Sequence, residues 1–95
     1  MPFHVKKGSA DPFRGNWYIS DKTFLNEAEA INYALKQTLK NFHNLKSRWD
    51  EYGYEWSVFH ETNVGEKKIW EGFKVIARMN SRNLSFPNIE DGRID

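Results

Sequence analysis

The sequence predicts an α+β domain. It has a small antiparallel sheet in strand–strand–helix–strand–strand (ββαββ) order and one long helix packed on one face. Two observations predict this class. Apolar residues recur at helical spacing between Asn26 and Gly53, and two short β-rich runs stand on each side of that stretch. A helix with one apolar stripe and a sheet with one apolar face bury those surfaces against each other, which gives two layers.

The elements follow in chain order. "FHVKK" (3–7) alternates weakly and reads as a strand, and "GSADPFRGN" (8–16) is rich in Gly, Pro, Asp and Asn and reads as a loop. "WYIS" (17–20) is a second strand of β-formers. In the helix, Ala28, Ile31, Leu35, Thr38, Phe42, Leu45, Trp49 and Tyr52 form one stripe, widened by Ala30, Ala34 and Leu39. Asn26 is a suitable N-cap with Glu29 three residues on, and Glu27 and Glu29 lie where the helix dipole favours negative charge. Gly53 is the expected C′ residue, with Tyr54 at C″ folding back on Trp49. "EWSVFHE" (55–61) is the third strand, and "TNVGEK" (62–67) is a hairpin loop in which Gly65 supplies a positive φ. "KIWEGFKVIARM" (68–79) reads as the returning strand, with a bulge or close backbone approach at Gly72. Residues 1–80 are expected to form a single α+β domain and 81–95 a polar C-terminal tail.

The run "NWYIS…TFLNEAEAINYALK" resembles arm-type DNA-binding domains of tyrosine recombinases, in which a Trp-bearing strand leads through Thr-Phe into a Glu-Ala-rich helix. The resemblance covers residues 16–36, includes no diagnostic motif, and carries over no functional residue.

Composition narrows the chemistry. The chain of 95 residues has no Cys, which removes disulfides, thiolate metal sites and thiol nucleophiles. His4, His43 and His60 show no metal-ligand spacing, so neither a metal ion nor another cofactor is expected. No nucleophile elbow or Gly-rich phosphate loop is present, so the chain is expected not to be an enzyme. The nearest enzyme-like pattern is Glu66-Lys67-Lys68, a Glu-x-Lys of the kind found in metal-dependent nucleases, with Asp50 or Glu55 as the second acid. It fits the flank of a hairpin turn better. No apolar run reaches the length of a membrane span and the amino end lacks a leader, so a cytoplasmic protein with no membrane partner is expected.

Net charge is only +1, but Lys67, Lys68, Lys74, Arg78 and Arg82 are accompanied by a single acid, Glu71. On a continuous strand Lys68, Trp70, Lys74 and Arg78 would share one face, with cations for phosphates and a ring for base stacking. The expected function is therefore a non-catalytic binding module for RNA or another single-stranded nucleic acid, using those four residues. The alternative is a small protein-interaction module, an inhibitor or adaptor of the size and composition of a bacteriophage accessory protein. It would use the aromatic end of the helix. A helix over 27–52 would be about 39 Å long. Strands of about six residues span roughly 20 Å, so the stripe outruns its sheet. Leu45, Trp49 and Tyr52 are thus expected at a partner contact, in the first instance a homodimer.

Overall fold

A computed structural model describes residues 1–9, 18–40, 54–82 and 90–94. The elements are β1 (Phe3–Ser9), β2 (Tyr18–Phe24), α1 (Glu27–Lys40), β3 (Tyr54–Thr62), β4 (Gly65–Glu71) and α2 (Gly72–Arg82). The sheet order is β2-β1-β3-β4 and every pairing is antiparallel. The α+β class and the ββαββ succession are present, with a second helix added after β4.

The start of α1 is set locally, as its sequence requires. The Glu29 amide donates to Asn26 Oδ1 at 3.0 Å, and the Ala30 amide closes the first turn on the Asn26 carbonyl at 3.1 Å. The bond from Glu29 satisfies one of the donors that a helix start leaves without a partner. Ala30, Ile31, Ala34 and Thr38 are its buried residues, and small side chains among them let the helix lie close to the sheet. They meet Val5 of β1, Trp56 and Val58 of β3, Trp70 of β4 and Val75 of α2 in one core cluster. The stripe is rotated slightly from expectation: Ala28 is exposed, and Ala30 and Ala34 lie at its centre.

The β3–β4 hairpin turns at Asn63 and Val64, and Gly65 has φ 121°, a region that side chains strain to enter. Thr62 Oγ1 donates to the Gly65 carbonyl at 2.7 Å and holds the turn closed.

Residues 68–79 are not one continuous strand. The strand ends at Glu71, and Gly72 opens α2 instead of interrupting a strand. The apolar residues Phe73, Val75, Ile76 and Met79 suit a helix, because the neighbours Val75 and Ile76 are both buried. Neighbours in a strand would point to opposite faces. Gly72 sits hard against α1: a Cβ there would lie 2.6 Å from Thr38 Oγ1, so this glycine allows the two helices to touch.

Part of the carboxyl stretch is docked. The Glu71 amide donates to the Gly92 carbonyl at 2.9 Å, and the Ile94 amide donates to the Ile69 carbonyl at 3.0 Å. Trp70 and Arg93 form an antiparallel bridge between these bonds. Residues 92–94 thus run along the outer edge of β4, which would otherwise offer unpaired backbone groups. Lys74 Nζ donates to the Arg93 carbonyl at 2.8 Å, and Arg93 Nη1 reaches Glu27 Oε1 at 2.8 Å, tying the segment to both helices. Leu84 and Phe86 lie outside the described residues, as do Leu45, Trp49, Asp50 and Tyr52.

Candidate functional site

The helices occupy one side of the sheet. No described helix or strand covers the other side, where the alternate residues of each strand gather. Strand register sets the arrangement. His4 of β1 lies between Thr23 of β2 and Phe59 of β3, and Phe59 is paired with Lys68 of β4. Lys6 lies beside Ser57, which is paired with Glu71, and Glu61 pairs directly with Glu66 across the hairpin.

A β-bulge decides which β4 side chains belong to this face. Val58 pairs with Trp70 but the adjoining Phe59 pairs with Lys68, so Ile69 is the extra residue. One added residue reverses the facing of everything beyond it. Lys68 therefore lies on the open face, while Trp70 turns inward and is 0% exposed, the largest fully buried side chain described. This corrects the expected grouping of Lys68, Trp70, Lys74 and Arg78: shared parity fails at the bulge, and Lys74 and Arg78 are carried away on α2. Trp70 has no accessible ring for a base, and Lys74 is engaged by the Arg93 carbonyl.

Two charged clusters flank an aromatic centre. Tyr18 and Phe59 meet edge to face, with ring centroids 5.2 Å apart. Lys6 Nζ lies 4.8 Å from the Phe59 centroid and Lys68 Nζ 5.4 Å from that of Tyr18. In the first cluster Lys68 Nζ donates to the Tyr18 hydroxyl oxygen at 3.1 Å and lies 3.0 Å from Glu71 Oε2 and 3.5 Å from Glu55 Oε1. In the second, His4 Nδ1 is 3.0 Å from Thr23 Oγ1, and His4 Nε2 is 2.9 Å from Glu61 Oε1 and 3.8 Å from Glu66 Oε2. Glu66 Oε1 accepts from Lys6 at 2.5 Å.

Glu55 is held against a desolvation cost. It is nearly buried, and Oε1 accepts no hydrogen bond among the described residues. Burial pushes its carboxyl above the ordinary glutamate range; Lys68 offsets this only in part, and Glu71 adds repulsion. For Lys68, burial alone would lower the ammonium, but the Tyr18 oxygen and the Glu55 and Glu71 carboxylates outweigh it and raise it. A raised carboxyl in the folded state makes the Glu55 contribution greatest below its ordinary value of 4.5 and erodes it as pH rises through the raised value. Glu55→Gln should therefore become progressively more stable than the parent chain as pH climbs from 4.5, and then level off. Urea denaturation of both chains at pH 4.5, 6 and 8 measures this. A stability difference that stays flat or shrinks with pH would refute the account.

Of the Glu-x-Lys pattern, Glu66 and Lys68 both lie on the open face but join different clusters: Glu55 belongs with Lys68, while Glu66 belongs with His4, Glu61 and Lys6. The sequence did not single out Tyr18, Phe59, Glu61 or Lys6, and the histidine spacing argued against a ligand role for His4, which β-strand register brings beside Glu61 and Glu66. The alternation of "EWSVFHE" does place Glu55, Ser57, Phe59 and Glu61 on one face, but their partners come from strands up to 57 positions away. No helix among the described residues is long and apolar enough to cross a membrane. No protein-family model, curated protein or solved structure matches the chain.

Proposed function

We propose that the protein is a non-catalytic binding module that recognises another protein through the open face of its sheet. One observation carries this reading: the two lysines of the face, Lys6 and Lys68, each lie against carboxylates, around a half-buried Tyr18–Phe59 pair. Protein interfaces favour this arrangement, with aromatic residues at the centre and a polar rim around them. Among the described residues, a polyanion would meet Glu55, Glu61, Glu66 and Glu71 against only Lys6, Lys68 and His4. To reach the lysines it would have to displace ion pairs already formed. This favours the protein-interaction alternative over single-stranded nucleic acid, and it moves the contact from the aromatic end of the helix to the sheet.

The test is capture from nuclease-treated lysate, followed by purification of the captured protein and measurement of its affinity. Phe59→Ala, at the centre of the face, should weaken that complex by ~10–100-fold, as expected for a central aromatic contact. Lys36→Ala, on the exposed side of α1, should leave it unchanged. Labelled single-stranded RNA, titrated at two salt concentrations, should bind neither chain. Salt-dependent RNA binding lost in Lys6→Glu would replace this reading with the nucleic-acid one. Labelled RNA and DNA incubated with Mg²⁺ should stay intact, and cleavage abolished by Glu66→Gln would make the protein an enzyme.

A further inference from the structure

We propose that His4, Glu61 and Glu66 form a binding site for one divalent transition-metal ion of the Zn²⁺ class. The inference is independent of the protein partner proposed above. The three donors are brought together from β1, β3 and β4, and their ligand atoms all lie within 4.8 Å of one another. First-shell distances of roughly 2.0–2.2 Å place neighbouring donors around such an ion about 3–3.5 Å apart. The separations from His4 Nε2, 2.9 Å to Glu61 Oε1 and 3.8 Å to Glu66 Oε2, bracket that spacing. An ion at their centre thus needs only side-chain adjustment.

Three further features suit a metal. An imidazole nitrogen with two carboxylate oxygens is a borderline donor set, which favours Zn²⁺ over Ca²⁺ or Mg²⁺. The surroundings orient the ligands: Thr23 Oγ1 holds the other ring nitrogen of His4, and Lys6 holds Oε1 of Glu66, leaving Oε2 to face the cluster. Metal-binding histidines and carboxylates are usually fixed by such outer contacts. In addition, Glu61 and Glu66 are direct cross-strand partners at the end of a hairpin. Like charges placed so are destabilising, and a dication between them removes that repulsion. All three ligands remain accessible to solvent, with side-chain exposures of 18%, 47% and 34%, so water would complete the coordination.

The experiment uses the full chain, treated with chelator and titrated with Zn²⁺ alone by calorimetry, with thermal unfolding as a second readout. One ion should bind per chain and raise the unfolding temperature, since an ion that binds only the folded form stabilises it. His4→Ala and Glu61→Gln should each lower affinity at least tenfold and abolish the thermal shift. Thr23→Val, which removes only the outer contact, should cost about tenfold. His60→Ala is the control: its ring stacks on Phe3 with centroids 4.3 Å apart, its register places it on the helix side, and it should bind Zn²⁺ like the parent. Circular dichroism confirms that each variant is folded. No binding at millimolar Zn²⁺, or equal binding by the parent and by a folded His4→Ala chain, would overturn the proposal.

Discussion

Trp70→Ala is expected to destabilise the domain by about 3–5 kcal/mol, the usual cost of deleting a large aromatic side chain from a core. Trp70 is 0% exposed and packs in the cluster that joins β1, β3, β4 and both helices, so no single neighbour can collapse into the space it leaves. For a domain of this size each kcal/mol moves the unfolding midpoint by roughly 4–8 °C, so a fall of more than ~12 °C is expected. Trp70→Phe should recover much of the loss. The measurement also separates two roles for this ring. If Trp70 were a surface stacking residue, its alanine variant would keep the parent midpoint and lose only a ligand. That outcome would contradict the bulge at Ile69 and the inward turn of β4.

Gly92→Ala should cost about 1–3 kcal/mol, the range for forcing extra atoms into a packed site. A Cβ at this position would lie 2.5 Å from Trp70 Cε2 and 2.7 Å from the Glu71 carbonyl oxygen. Neither can yield easily, since the ring is held in the core and the carbonyl belongs to strand backbone. The expected response is that 92–94 leaves the edge of β4. The Glu71 and Ile94 amides would lose their Gly92 and Ile69 acceptors, and their hydrogen exchange should accelerate together. Exchange at the Glu61 amide, bonded to the Pro2 carbonyl at the far end of the sheet, should change least. Deleting 90–95 should reproduce the loss of stability. A Gly92→Ala chain with parental stability and unchanged exchange at both amides would mean that the carboxyl segment adds nothing to the fold.

Trp70 lies in the core and not on the open face, and Gly92 lies on a sheet edge and not in a free tail, for one physical reason. Local signals carried much of the fold. The Asn26 cap, the opening of α1, the Gly65 turn and the existence of four strands depend on neighbours a few positions apart, and the periodicity of a single segment reveals them. "GFKVIARM" is different, because its apolar residues satisfy a period of two almost as well as 3.6. Its β-branched Val75 and Ile76 favour the strand, and packing against α1 decides for the helix. The bulge at Ile69 leaves no local mark, since one extra residue is admitted or refused by the partner strand.

The candidate site shows the same division. The alternation of β3 determined that Glu55, Ser57, Phe59 and Glu61 would share a face. That His4 meets Glu61 and Glu66, that Lys68 meets Glu55 and Tyr18, and that Trp70 is core were decided only by tertiary structure. Strand order and register bring together residues tens of positions apart, and register is selected by burial of the whole helix-facing side at once, through Val5, Trp56, Val58 and Trp70. The polar face takes whatever arrangement that choice leaves. The sequence alone thus determined the α+β class and the pattern of each element, while the composition of the open face followed from how the core packed behind it.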